Sequence, residues 1–563
     1  MMNRGAHNLS IAATILDQLV AAGVEDLVLS PGFRNSPLIL ASQSDSRLRT
    51  HTVLDERSAA FFALGLAKAK QKPAAFACTS GTAAGNYFPA ILEASYSQVP
   101  LIAITADRPA EILGLGENQT MNQVELFGPQ VRQSVTISTR SISHFDFDWL
   151  RHVVGKTAFS ASFPNPGPVH INISFEEPLL PKVLDDALKP KGRAKNFIPP
   201  RAIAAPDAFT KILAGDLETI FVLGNADFSA EALDSFLYAS EKLGALLLAE
   251  PSSGILGRES SVNSSVLLSR FDELIALPPE RVPVRRILRF GPPPVHKRLP
   301  IFLGSLESAQ HFVFDFPTEA RDPILGESTY YTGSPNDWAL ALREYCAEKP
   351  ARKISKFVAE AQAQASAAQK KWLGALAEKS SGSEFHAIKF ILDSMPKQSS
   401  LFLGNSLPIR DFNTLARGAP RYSKIFHNRG LSGIDGLIAT ASGVACAENK
   451  MAVLILGDLS AQHDIGSLTL AARLIQPAAL KIIVLNNGGG SIFRGLPLPE
   501  GNMEWFTTPQ KIDFSHAAAA FSLAFTRLEP VSAAEKILAQ SFASPDSEMI
   551  EFMIPPDARL SLR

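Results

Sequence analysis

Asp458 and Asn487 are the two residues whose types and placing first suggest chemistry. Each follows a short apolar run of strand length, residues 451–456 (MAVLIL) and 481–485 (KIIVL), and each run ends in a Gly/Asp/Asn turn. Strands buried on both faces of a parallel sheet read as unbroken apolar runs of this kind. Asn487 comes 29 residues after Asp458, which leaves room for a crossover helix and its strand. The two strands would then stop side by side, with a carboxylate at one tip and an amide at the other. An Asp carboxylate, an Asn carbonyl and a nearby backbone carbonyl are hard oxygen ligands. They suit a Mg²⁺ ion that phosphate oxygens also hold, and they accept Mn²⁺ as readily. Two plain loop turns of an open α/β sheet would give the same pattern, so the pair needs a partner elsewhere in the chain.

The pair resembles the diphosphate–metal motif of thiamine-diphosphate (ThDP) enzymes, in which Gly-Asp-Gly precedes Asn-Asn. Here Leu459 stands where the second Gly is usual. ThDP chemistry needs a carboxyl group at the N1′ of its aminopyrimidine, in a dry pocket where burial favours the neutral form. Glu56, in His51-Thr52-Val53-Leu54-Asp55-Glu56-Arg57-Ser58, is the candidate. It follows a short apolar run and opens a helical pattern over residues 58–70. A carboxylate there also serves simply as a helix cap. The Asp458–Asn487 pair tips the reading toward the proton shuttle.

These residues must be positioned by alternating strands and helices. Strand-like runs at residues 26–30, 74–78, 101–105 and 169–175 end in Gly-, Asp- or Pro-containing turns, with helical patterns between them. That alternation predicts a parallel, doubly wound sheet. A Lys/Pro-rich break at 188–201 reads as a linker. A second α/β pattern has strands at 219–223, 245–249, 286–290 and 311–316, and an Ala/Gln/Lys-rich stretch at 351–379 favours a long helix. The third pattern adds strands at 400–403, 425–426 and 548–553 to the two that carry Asp458 and Asn487. The predicted division is 1–187, 202–350, a helical linker at 351–383, and 384–563.

Composition narrows the class. The chain has 563 residues, 46% hydrophobic and 19% charged, as in a core-rich globular protein of several domains. A net charge of −1 gives no support for nucleic-acid binding. Cys78, Cys346 and Cys446 show no zinc or CxxC spacing and fit a reducing cytoplasm, with Cys78 and Cys446 expected as buried packing. The polar-interrupted N-terminus reads as a helix and a strand, not a signal peptide. No apolar run reaches the ~18 residues of a membrane span.

Ten stretches in order along the chain resemble one family, the 2-succinyl-5-enolpyruvyl-6-hydroxy-3-cyclohexene-1-carboxylate synthases. They are SPGFRNSPL (30–38), LDERSAAFFALGLAK (54–68), TSGTA (79–83), TADRPAE (105–111), GENQT (116–120), HKRL (296–299), GNSLPIR (404–410), NRGLSGIDG (428–436), GDLSA (457–461) and NNGGGSIF (486–493). The resemblance implies pyrimidine-binding, central and diphosphate-binding domains, all of the ThDP decarboxylase/carboligase type. It implies a cofactor site shared between subunits, so a homodimer at minimum and commonly a homotetramer. The implied reaction decarboxylates 2-oxoglutarate and adds the resulting succinic-semialdehyde carbanion to isochorismate, releasing carbon dioxide, in menaquinone biosynthesis.

The resemblance also assigns roles. Glu56 is the N1′ partner. Asp458, Asn487 and the Gly489 carbonyl hold the metal. Ser406, Ser432, Leu459 and Ser460 lie along the cofactor, and Ile434 sits beneath it, although a plain core Ile is the commoner fate. Two dicarboxylate substrates explain Arg34, Arg108, Lys297, Arg298, Arg410 and Arg429, because a guanidinium fork binds a carboxylate bidentately. Gln119 and Ser406 are neutral donors, and Phe493 and Leu496 an apolar wall. His51, His427 and His463 make no metal spacing, and His427 reads as structural. Phe33 and Pro408 depart from the family pattern and bear on substrate geometry. The competing readings are an acetolactate-synthase-like carboligase or decarboxylase, and a non-catalytic homologue; the Arg set argues against the first and the intact Glu56, Asp458 and Asn487 against the second.

Overall fold

Eighteen strands form three six-stranded sheets in the computed structural model, which describes residues 3–142, 146–182, 189–197, 204–261, 264–316, 322–324, 326–378, 382–415, 422–497, 501–556 and 558. The first sheet holds β1 (Asp26–Leu29), β2 (Arg49–Thr52), β3 (Ala74–Cys78), β4 (Leu101–Asp107), β5 (Ser134–Ser138) and β6 (Pro168–Ser174). The second holds β7 (Thr219–Leu223), β8 (Leu246–Ala249), β9 (Leu267–Leu268), β10 (Arg286–Phe290), β11 (Gln310–Asp315) and β12 (Ser328–Thr332). The third holds β13 (Ser399–Leu403), β14 (Tyr422–His427), β15 (Met451–Gly457), β16 (Ala479–Asn486), β17 (Ala524–Leu528) and β18 (Glu548–Met553). Every pairing is parallel. Parallel sheets need helices on both faces, and each sheet has an apolar cluster on either side.

The orders are β2-β1-β3-β4-β6-β5, β12-β11-β10-β7-β8-β9 and β14-β13-β15-β16-β18-β17. The first and third sheets therefore share one topology, and the middle one differs. In the third sheet the order reverses at β13, so the C-terminal ends of β13 and β15 flank a switch point, where open α/β sheets bind ligands. β15 and β16 are neighbours, pairing Met451 with Ala479 through Gly457 with Leu485. The strand-tip pairing expected of Asp458 and Asn487 is met. Asp458 is not in a turn, however: it opens the short helix Asp458–His463.

The expected boundaries at 187 and 202 lie outside the described residues, as do parts of the 188–201 break. The helix expected at 351–379 is observed as Lys356–Glu378. Cys78 and Cys346 are buried and Cys446 half-buried, all three as free thiols. Among the described residues, no helix is long and apolar enough to cross a membrane.

The first and third units are joined by the helices Glu56–Lys70 and Leu437–Glu448. A Cβ on Gly65 would lie 2.0 Å from the Thr440 carbonyl oxygen, and one on Gly443 would lie 2.2 Å from that of Phe62. Two helix backbones touch directly at these glycines. Around them Ser58 Oγ meets Ser467 Oγ at 2.8 Å. Asp464 Oδ2 accepts from the Ile438 and Ala439 amides at the start of the second helix, and Lys68 Nζ donates to the His427 carbonyl at 2.7 Å. Gly65→Ala should destabilise the protein by about 1–3 kcal/mol, because backbone atoms cannot give way to a methyl group. Gly374→Ala is the control: nothing lies within 4 Å of its added Cβ, so a helix-interior gain of about 0.5–1 kcal/mol is expected. Denaturant midpoints of the two variants should move in opposite directions.

Candidate active site

Loops leaving β13, β15 and β16 enclose a cavity of about 190 Å³ lined by Ser406, Ile434, Asp458, Leu459, Ser460, Asn487, Gly489 and Phe493, among others. Asp458 is 4% exposed. Its two oxygens accept the Leu459 and Gly489 amides, each at 2.7 Å. Burial nevertheless pushes its carboxyl up to about 6. Such a group gains from an added positive charge. Asn487 Nδ2 donates to Glu384 Oε1 at 3.0 Å. That bond turns the amide so that Oδ1 faces away from Glu384, and Oδ1 has no partner. Glu384 Oε2 and Ser491 Oγ are likewise buried and unpartnered. Buried polar atoms left this way cost free energy until something binds them. The Gly489 carbonyl accepts the Ser491 amide at 2.8 Å, which leaves one of its two lone pairs.

Glu384 is the residue that the motifs did not reveal. It is 1% exposed, and it begins the helix Glu384–Ser394. A Ser-Glu pair at that point in the sequence reads only as a helix start. No group of three or more His, Cys, Asp or Glu could hold a metal among the described residues. A cation here would rest on one carboxylate, an amide oxygen, a carbonyl and the ligand's own oxygens, as the sequence suggested.

A larger chamber of about 450 Å³ adjoins this cavity and is lined by Lys297, Arg410, Arg429 and Arg494, with Ser432, Phe493 and Leu496. Ser406, Ile434 and Phe493 belong to both walls. Ile434 is 37% exposed, so it is not a plain core residue. Arg429 Nη1 donates to Asn405 Oδ1 at 3.1 Å. Its guanidinium is held below its ordinary value by burial and by the facing Arg410. Arg410 donates to the Ser406 carbonyl from the helix Leu407–Leu415. Pro408 occupies the second residue of that helix, where a missing N–H costs nothing, so it leaves Arg410 in place. Ser406 (φ 71°) and Ser432 (φ 61°) are left-handed, a strain that collects at ligand sites.

The remaining site residues form a separate group at the C-terminal ends of the first sheet. Arg34 is 6% exposed and donates to Glu177 Oε1 at 2.7 Å and to the Phe175 carbonyl at 3.3 Å. Arg108 donates to the Asn118 carbonyl at 3.0 Å. Gln119, also left-handed at φ 56°, donates to the Ser80 carbonyl at 2.9 Å. Glu56 is half-exposed, with Asn86 Nδ2 at 3.4 Å. It does not cap its helix: Asp55 does, accepting the Ser58 amide at 3.1 Å. Within one chain, neither cavity wall includes Glu56, Arg34, Arg108 or Gln119. Arg298 is exposed at the start of the helix Arg298–Gly304 and lines neither cavity. Phe33 is 75% exposed. His427 is buried with its ring held neutral, pushed down to about 4 by burial.

Residues 9–126 match the thiamine pyrophosphate enzyme N-terminal TPP binding domain, and residues 414–552 match the C-terminal TPP binding domain. The chain folds like benzoylformate decarboxylase from Polynucleobacter necessarius, with a TM-score of 0.73 at 14% identity over 97% of this chain and 99% of that one. It is 36% identical to the 2-succinyl-5-enolpyruvyl-6-hydroxy-3-cyclohexene-1-carboxylate synthase of Dechloromonas aromatica, over 98% of this chain and 99% of the relative. It is 34% identical to the synthase of that name from Bacillus cytotoxicus, over 91% and 88% respectively. The chain belongs to the 2-succinyl-5-enolpyruvyl-6-hydroxy-3-cyclohexene-1-carboxylate synthase family of ThDP-dependent enzymes.

Proposed function

We propose that the chain decarboxylates 2-oxoglutarate and joins the four-carbon remainder to isochorismate. The products are carbon dioxide and the succinyl-enolpyruvyl-hydroxycyclohexene carboxylate for which its relatives are named. The observation that carries this reading is the junction of the Asp458–Asn487 cavity with a chamber of four cations, Lys297, Arg410, Arg429 and Arg494. Each substrate brings two carboxylates, and a single-carboxylate substrate such as pyruvate has less need of so many positive groups.

The orphaned oxygens of the smaller cavity fit a diphosphate and its metal. Asp458, the Asn487 amide oxygen and the Gly489 carbonyl would hold Mg²⁺, with Mn²⁺ an acceptable substitute. Ser406, Ser432, Leu459 and Ser460 would lie along the cofactor, and Ile434 would support it from below. ThDP, when bound, supplies an acceptor for the electron pair left by lost carbon dioxide. The chain's own residues do the rest. Glu56 holds a proton at its carboxyl for exchange with the aminopyrimidine. The cations orient the carboxylates, and Phe493 and Leu496 keep water from the reacting carbon.

Glu56, Arg34, Arg108 and Gln119 reach that chamber from a second copy of the chain. Support comes from the two incomplete halves, each carrying exposed apolar side chains: Phe33, Leu54 and Leu115 on one, Leu431, Leu496 and Trp505 on the other. A homodimer is then the smallest active unit, and a homotetramer is compatible with it. The first unit (1–187) binds the pyrimidine, the third (384–563) the diphosphate and metal, with 202–350 central and 351–383 a helical linker. The free thiols fit the cytoplasm.

A mass-resolved assay with ThDP, Mg²⁺, 2-oxoglutarate and isochorismate tests the reaction, and the adduct should require all four. Carbon dioxide release without adduct would reassign the acceptor, and no use of 2-oxoglutarate would favour a pyruvate enzyme. Glu56→Gln should keep the fold and most cofactor affinity while losing nearly all turnover; near-normal activity would remove Glu56 from the mechanism. Asp458→Ala should raise both the metal and the cofactor requirement. Glu384→Gln should raise the metal requirement about 10–100-fold by freeing the Asn487 amide to turn over. Calorimetric metal titration reads the last two directly, and an unchanged curve would count against the metal site.

A further inference from the structure

Glu250 follows β8 in the middle unit and is 6% exposed. Its Oε2 accepts the Val295 backbone amide at 2.6 Å, and the His296 amide beside it also favours the charged carboxylate. Val295 and His296 lead directly into Lys297, which is the middle unit's contribution to the cation chamber. The same carboxylate lies within electrostatic reach of Arg429 from the third unit. The turn after it, Pro251–Ser253, is tied to the helix bearing Arg410 by the Ser252 amide on Asn413 Oδ1 at 2.8 Å. One buried carboxylate and its turn thus bond to the segments that carry Lys297 and Arg410, and act through charge on Arg429. Stability alone does not call for a charge here, since an apolar side chain of similar volume often serves a buried site as well or better.

Building on the function proposed above, we infer that Glu250 is a positioning residue. It holds Lys297 and Arg429 in register for the substrate carboxylates, so the middle unit, which lines no part of the smaller cavity, sets dicarboxylate affinity. The charged and titratable groups that act most strongly on Glu250 are His296 in its own unit and Arg429 in the third. Burial pushes its carboxyl up to about 7, opposed by the Val295 amide, His296 and Arg429. It is ionised above that pH and grips the Val295 amide best there. Protonation below it loosens the grip.

The test uses the ThDP- and Mg²⁺-loaded wild type, Glu250→Gln and Glu250→Ala. It reads KM for 2-oxoglutarate and kcat, and calorimetric binding of succinate, a dicarboxylate that does not react. In the wild type KM and the succinate Kd should rise as pH falls through about 7. In Glu250→Gln both should be raised about tenfold near pH 8 and be flat across that window, with kcat within about twofold. Glu250→Ala, which also loses the amide acceptor, should be weaker still. Variants that keep the wild-type succinate Kd and KM overturn the inference, as do variants that lose kcat and Tm while KM stays put. If the wild type binds succinate but makes no adduct, the reaction assignment fails while the succinate series still decides the role of Glu250.

Discussion

The direct backbone contact between the helices Glu56–Lys70 and Leu437–Glu448 is the constraint on which the site depends. Gly65 and Gly443 let the helices meet with no side chain between them. That closeness allows the first unit to shape loops belonging to the third. Glu93, from the first unit, accepts the Gly430 and Leu431 amides at 2.8 Å each, and Phe61 packs where a Cβ on Gly436 would have to go. Both ends of the 430–436 loop, which carries Ser432 and Ile434, are therefore set from outside its own sheet. Asp464 fixes the start of the following helix from below. It is wholly buried, and burial pushes its carboxyl up to about 6.

What this frame holds in place is an arrangement that is poorly satisfied by itself. Arg429 and Arg410 line one chamber and repel each other, the Asp458 carboxyl resists ionisation, and the oxygens of Asn487 and Glu384 that lack partners are buried. Ser406 and Ser432 add backbone strain. Each of these costs free energy that the surrounding fold sustains. On the function proposed, anions in the larger chamber and a metal with its diphosphate in the smaller would relieve the electrostatic part of this cost. Preorganised charge of this kind does not need to rearrange when the reaction occurs.

The sequence was most legible where strands are central. The strands at 74–78, 219–223, 286–290 and 548–553 have the bounds that their apolar runs suggest. The strands that escaped notice, β2, β5, β9, β12 and β17, lie at or beside the margins of their sheets. Four of these, β2, β5, β12 and β17, are largely exposed or half-exposed, so no apolar run marks them, and β9 is only two residues long. At the site, loops after strands gave themselves away through Gly, Asp and Asn at the tips. Glu384 did not, because its role comes from contact with a residue 103 positions away. From the sequence, Glu56 alone is considered as a cap; the hydrogen bond to Ser58 gives the cap to Asp55, the residue type that N-cap positions favour. That Glu56 lines neither cavity within one chain is likewise a property of packing that no local pattern records.

The shared wall between the two cavities has a consequence for how such an enzyme can change. Ser406, Leu407, Ile434, Ser491, Ile492 and Phe493 face both spaces. If the smaller space takes the cofactor and the larger the substrates, as proposed, a substitution at any of them would be felt by both at once. Lys297, Arg494 and Leu496 border the larger chamber alone. On the same arrangement, new substrate preferences would be explored at those three positions without loosening the grip on the cofactor, and a directed-evolution library is best concentrated there.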